Sequence, residues 1–235
     1  IYNYLEIREK LERENYTFKS QTDTEVIMAA FDKWKTDCVH QFNGMWAFVI
    51  YDKKKKTIFC SRDRYGVKPF YYWIAPDQTI YFGSEIKQFI DLPGWKAQLN
   101  PQRAYDYLAF ALTHHTDETF FKNVFELKKG HSMYLALDNI KVNETGRLPT
   151  DNWYELNPLP FSGSYEEACV NFKSLFFDSV NLRLRSDVPV GSCLSGGLDS
   201  SAIVCVMNNL LYEKKSSTIQ KLYLTKYLQF YLEYC

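Results

Sequence analysis

The sequence has no surplus of charge: 28 lysines and arginines stand against 28 aspartates and glutamates, a formal net charge of +0. A balanced chain exerts no long-range pull on phosphate backbones or anionic lipid, so a nucleic-acid or membrane partner would need a local basic patch. No patch with groove-reading chemistry is present, and Lys53–Lys56 reads as the solvated tip of a hairpin. Neither partner is expected. The chain also has no CxxC pair and no Cys/His cluster; Cys38, Cys60, Cys169, Cys193, Cys205 and Cys235 are scattered. That spacing excludes the common zinc sites and a disulfide framework, and predicts free thiols in a reducing cytoplasm. No apolar run approaches the roughly 18–20 residues that cross a bilayer. GxSxG and HExxH are both missing, which leaves the matching hydrolase readings without support.

What is present is a core. Over 235 residues the chain is 46% hydrophobic and 17% aromatic, enough for one or two domains. Ile7 and Leu11 mark an entry helix, and Thr22-Asp23-Thr24-Glu25 is a capping-box pattern ahead of Val26, Ile27, Ala30, Phe31 and Trp34 at helical spacing. The apolar runs 45–51 and 57–60 around the lysine turn predict a buried hairpin, and 70–74 with 79–82 predict a second. Tyr105, Leu108, Ala109 and Leu112 give another helical face, and residues 132–137 another strand. Strands buried on both faces among amphipathic helices point to layered sheets covered by helices.

Residues 145–164 carry Gly146, Pro149, Pro158, Pro160 and Gly163 and read as an exposed connection in which Trp153 and Tyr154 pack locally. Beyond it the expected order is a helix over 165–184, a short strand over 188–194, a glycine turn, and a helix over 198–211. Strand, glycine turn, helix is the entry of an open α/β sheet.

The sharpest signal is Ser195-Gly196-Gly197-Leu198-Asp199-Ser200-Ser201 at that turn. Two glycines let successive N–H groups point inward, the serines add hydroxyls, and the helix N-terminus adds a positive dipole end. Such a cradle takes a phosphate or pyrophosphate. A carboxylate inside an anion site is best read as a Mg²⁺ ligand, here Asp199. No lysine stands where a Walker A loop needs one, which excludes a kinase-type or GTPase-type site. The alternative is a serine-capped helix with a tight Gly-Gly turn.

The seven residues resemble the SGGxDSS signature of the ATP-pyrophosphatase family. Phe42 to Phe48, Arg62 to Tyr72 and Gly83 to Lys87 resemble the class II glutamine amidotransferase domain of glutamine-hydrolysing asparagine synthetases, and Arg183 to Gly191 fits the same enzymes. The resemblance implies an α+β N-terminal domain, a four-layer α/β/β/α fold of the Ntn-hydrolase kind, followed by the start of an α/β adenine-nucleotide-hydrolase-like domain. It implies the division 1–157 amidotransferase, 158–164 linker, 165–211 synthetase start and 212–235 atypical tail.

By the same resemblance, an N-terminal cysteine releases ammonia from glutamine, ATP adenylates the aspartate side chain, and ammonia displaces AMP to give asparagine. Glutamine, aspartate, ATP and Mg²⁺ are the implied small molecules, in a cytoplasmic enzyme for which a homodimer is one implied assembly. Asp23 matches the carboxylate that holds the glutamine α-amino group, although its position also suits a helix dipole. Leu194 matches a residue beside the adenine, and Ser195, Gly196, Gly197, Ser200 and Ser201 the phosphate cradle. Asp199 matches the contact to Mg²⁺ and pyrophosphate.

The chain opens on Ile1 and none of its cysteines is N-terminal, so no nucleophile and no oxyanion Asn-Gly pair are assigned. A chain truncated at both ends, inactive alone and with unpaired sheet edges, is the expectation. The competing readings are a relative acting on another carboxylate and a non-catalytic nucleotide-binding product. Cys38 and Cys60 are expected to be packing residues, and His114-His115 to lie in an exposed loop without a metal.

Overall fold

The computed structural model describes residues 1–215, with side chains through Tyr212. The residues up to Asn157, apart from Tyr2, form one compact unit, and those from Pro158 onward belong to a second. The atypical tail lies, beyond Lys215, outside the described residues.

The first unit opens with α1 (Tyr4–Glu12) and α2 (Asp23–Trp34), followed by a 3-10 turn over Lys35–Gln41. Thr22 caps α2 by accepting the Glu25 amide, but the expected reciprocal half of the capping box does not form. The Glu25 carboxylate instead accepts the amides of Lys19 (2.8 Å) and Ser20 (2.7 Å) and the Ser20 hydroxyl (2.6 Å). The preceding turn offers three donors where the Thr22 amide offers one.

Two antiparallel sheets follow. The first has the order β1-β2-β6-β7, from Ala47–Asp52, Thr57–Arg62, His131–Ala136 and Asp151–Asn152; the second has the order β4-β3-β5, from Ile80–Gly83, Tyr71–Ile74 and Val124–Glu126. Strand alternation decides which face meets which neighbour. On β2, Phe59 joins Ile7, Leu11, Val26 and Ala30 of the helices, whereas the next residue, Cys60, joins Tyr72 and Phe125 of the second sheet and Phe70 just ahead of it. On β3, Tyr72 faces the first sheet and Trp73 faces away, toward Phe89 and Val124. The central strand β2 is therefore buried on both sides, whereas the expected two-sided burial fails on β1, an edge strand that leaves Val49 and Tyr51 exposed. This is a mixed α/β unit with antiparallel sheets.

Three further expectations fail here for physical reasons. The apolar face assigned to the 105–112 helix is not buried: α3 (Pro101–Phe110) leaves Tyr105 and Leu108 exposed, Leu108 at 83%, and turns Asp106 inward. Ala111 adopts φ 55° and ends the helix before Leu112. The inward side is polar because Arg103, Asp106 and His115 satisfy one another there.

The stretch from 145 is not all exposed connection. Leu148 is buried, β7 pairs with β6, and Trp153 stacks on Trp46 with ring centroids 5.6 Å apart. Trp153 thus packs against a residue more than a hundred positions earlier, not locally.

In the second unit, α4 (Tyr165–Arg183) starts at a complete Ser164/Glu167 capping box and α5 spans Leu198–Lys215. Residues 188–194 form no strand. A strand needs a ladder partner, and among the described residues this unit contains none.

The Glu25 arrangement has a measurable consequence. Hydrogen bonds from Ser20 and from the Lys19 and Ser20 amides hold its carboxyl down at about 2, below the usual carboxylate value. A lowered folded-state pKa adds stability that is complete above about pH 4.5 and is lost as pH falls toward 2. In a pH series of thermal melts, Glu25→Gln is expected to flatten the acid limb over that window. An unchanged limb would refute the assignment.

Candidate functional site

The glycine turn lies at the start of α5. Gly196 takes φ +80°, and a Cβ added at Gly196 or at Gly191 would meet nothing within 4 Å. Ser200 Oγ donates to the Gly197 carbonyl (3.1 Å) and accepts from the Ser195 amide (3.3 Å). With its single proton so used, it accepts from Ser195 Oγ at 3.0 Å. The loop is thus closed on itself by its two serines. The amides of Leu198, Asp199 and Ser200 stand at the first turn of α5, where intrahelical acceptors are lacking. Asp199 is exposed, as are Leu194, Ser195, Gly196 and Gly197, while Ser200 and Ser201 are half-buried. The structure therefore brings the second set of sequence-assigned residues together in one open loop.

Asp23 lies in the other unit, half-buried in the first turn of α2. Asn3 holds the entry segment: its side chain accepts the Asn43 amide at 2.8 Å and donates to the Gln41 carbonyl at 2.9 Å.

Beside this entry segment lies a loop, residues 62–70, that two neighbouring side chains organise. Arg62 donates to the carbonyls of Lys68 (2.7 Å), Gly66 (2.9 Å) and Leu127 (2.7 Å) and to the Glu126 carboxylate (2.5 Å). Asp63, 1% exposed, accepts the amides of Trp46 (3.3 Å), Tyr65 (3.1 Å), Val67 (3.0 Å) and Lys68 (3.0 Å). One side chain takes the loop's carbonyls and the other its amides. Next to them Arg64 lies over the rings of Trp153 (5.1 Å), Tyr154 (5.3 Å) and Trp46 (5.9 Å), and burial lowers its pKa. Sequence reasoning took this segment only as part of a resemblance. The signal available was an adjacent Arg-Asp pair ahead of a Gly-x-x-Pro turn.

The model of the glutamine amidotransferase domain family matches residues 1–145. The chain belongs to that family. The asparagine synthase family model matches residues 171–220, so the amidotransferase domain is followed by a second, different module.

Among curated relatives, a Methanocaldococcus jannaschii protein named "putative asparagine synthetase, glutamine-hydrolyzing, 2" is 42% identical over 208 residues, 88% of this chain and 38% of that protein. Asparagine synthetase 3 (glutamine-hydrolyzing) of Bacillus subtilis is 32% identical over 206 residues, covering 88% of this chain and 32% of its own length. The chain spans about a third of the length of these relatives. A glutamine phosphoribosylpyrophosphate amidotransferase structure from B. subtilis aligns at TM-score 0.40 and 15% identity, over 66% of this chain and 27% of that one, a likeness below the level that fixes a fold.

Within the amidotransferase domain, Cys38 and Cys60 are fully buried, and burial pushes both thiols up to about 12. Both are packing residues, as expected. Cys169, Cys193 and Cys205 are exposed. Since the thiolate is the reactive form, brief alkylation of the native chain is expected to modify those three and to spare Cys38 and Cys60. Modification of either buried thiol at the rate of the exposed ones would contradict this packing.

The two neighbouring histidines lie exposed in the loop after α3, as expected, and both are hydrogen-bonded there. His114 Nδ1 meets the Glu126 carboxylate at 2.9 Å, and His115 Nε2 lies 2.9 Å from Asp106 and 2.8 Å from Arg103. Among the described residues no group of three or more His, Cys, Asp or Glu gathers to hold a metal ion. No helix among them is long and apolar enough to cross a membrane.

Proposed function

We propose that the chain is a piece of a glutamine-hydrolysing asparagine synthetase, an enzyme that moves ammonia from glutamine to an ATP-activated aspartate. The observation that carries this reading is the order of two family matches on one chain: glutamine amidotransferase over 1–145, then asparagine synthase over 171–220. Residues 1–157 are then the amidotransferase domain, with the α/β/β/α layering of Ntn hydrolases, 158–164 a linker, and 165–211 the opening of an α/β nucleotide-binding domain.

Asp23 is assigned to the glutamine α-amino group. Its half-buried place in the first turn of α2, next to the Thr22 cap, supports that reading. In the second module the uncommitted amides at the start of α5, the φ +80° glycine and the two serine hydroxyls are donors suited to the ATP phosphates. Leu194, exposed beside the loop, offers an apolar contact for the adenine.

A phosphate entering the loop must compete with the Ser195–Ser200 hydrogen bond, so ATP binding is expected to reorient those hydroxyls. Asp199 fits Mg²⁺ because it is an exposed carboxylate in the first turn of α5, next in sequence to the amides assigned to the phosphates. Mg²⁺ is usually held by one or two carboxylates plus phosphate oxygens and water. When bound, Mg²⁺ would neutralise charge on the departing pyrophosphate.

Isothermal titration of the 235-residue chain with Mg·ATP is the test. Saturable heat that Asp199→Ala weakens by about tenfold or more is expected. No heat, or heat indifferent to Asp199→Ala, would remove the nucleotide assignment. Amide formation by the longer protein with aspartate, compared with other carboxylic acids, tests the acceptor.

A further inference from the structure

A second concavity lies within the amidotransferase domain and shares no residue with either assigned site. It is a cleft of about 380 Å³, within the range of small-molecule sites. It opens between the β3–β4 turn, the segment around Gly94–Gln98, the pair Lys122-Asn123 and the arm carrying Val142 and Gly146.

Its floor is fixed. Trp73 and Ala75 are buried, and the Trp73 indole is stacked on Tyr81 at 5.5 Å and edge-packed by Trp95 at 5.2 Å. Both aromatic contacts are internal, so the indole offers no free face for a planar ligand. The rim is also held: Ala75 N donates to Thr79 O (2.9 Å), Gln78 N to Ala75 O (2.9 Å) and Lys122 N to Gln98 O (2.8 Å). Four lining residues, Gln78, Gly94, Asn123 and Gly146, have φ between 63° and 81°. At Gly94 a Cβ would approach Pro76 Cδ to 3.0 Å. Gln78 and Asn123 are not glycines, so their left-handed backbone is strain that the surrounding bonds must hold.

The charge at the cleft is one-sided. Lys96 and Lys122 line it, and no lining residue is acidic. On a chain with no net charge this is a local excess of two cations. Among the described residues neither lysine forms an ion pair, although Lys33, Lys35, Lys56 and Lys87 all do. Gln78, Gln98 and Asn123 line it as well, and their side-chain amides are not taken up by hydrogen bonds within the described residues.

We propose that this cleft binds a small phosphate-bearing anion, either inorganic phosphate or a phosphate monoester with a compact body. Two ammonium groups match the double charge of a phosphate, and lysine binds phosphate as a point charge. A carboxylate is recognised better by the planar fork of arginine, and no arginine lines the cleft. The absence of a free aromatic face argues against a nucleoside body. Apolar Ile74, Pro76 and Val142 leave room instead for a short carbon skeleton.

The test is isothermal titration of the full chain, without Mg²⁺ and at fixed ionic strength, using inorganic phosphate, glycerol 3-phosphate and succinate in parallel. Saturable binding of one or both phosphates is expected. Lys96→Gln and Lys122→Gln should each weaken it by about tenfold with the melting temperature unchanged, and Asp199→Ala should leave it intact. Tighter binding of glycerol 3-phosphate than of phosphate would identify a monoester site, and the reverse a site for the free ion.

Four outcomes would overturn the proposal: no saturable heat with either phosphate, an equal response to succinate, indifference to both lysine variants, or loss on Ser195→Ala, which would place the phosphate in the α5 loop. The cleft and the α5 loop are tested by different variants, so failure of one leaves the other standing.

Discussion

Asp63→Ala is expected to destabilise the chain by about 3–5 kcal/mol, one of the largest effects available to a single polar residue. The carboxylate is buried and accepts four backbone amides, those of Trp46, Tyr65, Val67 and Lys68. Alanine would leave all four donors without their acceptor in a place that water reaches poorly, and each unsatisfied buried donor costs about 1–3 kcal/mol. Partial relaxation keeps the sum below four full penalties. Asp63→Asn is the informative partner variant. It keeps one oxygen but turns an NH₂ toward donors at the other, so it is expected to fall between alanine and wild type. Urea unfolding measures both. A cost below about 1 kcal/mol for Asp63→Ala would mean that the loop's amides find other acceptors.

This carboxylate also shows what the sequence made legible and what it hid. The helices and the two hairpins were readable because their burial follows local periods: Val26 and Ala30 lie one turn apart on a buried helix face, and the runs around the lysine turn pair as β1 and β2. The glycine turn was readable because its chemistry is contiguous. What was hidden depends on residues distant in sequence.

Asp63 receives an amide from Trp46, and Trp153 returns to stack on Trp46, and no local pattern announces either contact. The 105–112 segment misled for the opposite reason. Its apolar residues do lie at helical spacing, but the buried side of α3 is held by the Arg103–Asp106–His115 contacts, which a hydrophobic period cannot register. The 188–194 segment has strand-like residues, but strand formation is a property of a pair. The cleft beside the β3–β4 turn escaped too, because Lys96 and Lys122 come to line one concavity only through tertiary structure.

Gly130→Ala is expected to cost about 2–4 kcal/mol and to act mainly on one strap of the first unit, residues 151–154. Gly130 has φ +65°, a conformation that costs an alanine about 1–2 kcal/mol. Its added Cβ would also come within 2.6 Å of the Tyr154 carbonyl oxygen, a backbone atom that cannot swing aside as a side chain could. The strap must then lift. Yet Gly130 is also what holds it, since its carbonyl accepts the amides of Trp153 (2.9 Å) and Tyr154 (3.2 Å), while its own amide donates to the Asp63 carbonyl (2.9 Å).

Lifting the strap would pull Trp153 from Trp46 and remove two of the three aromatic faces around Arg64. The two-residue β7 has little pairing of its own with which to resist. Limited proteolysis is therefore expected to cut Gly130→Ala between residues 145 and 157 faster than wild type, with Trp fluorescence shifted toward that of exposed indole. Trp153→Ala separates the causes. It removes the stacking without touching the backbone of Gly130, and should open the strap while leaving the Gly130–Asp63 bond in place. Equal protease resistance of Gly130→Ala and wild type would show that the turn absorbs a Cβ, and that the strap is anchored elsewhere.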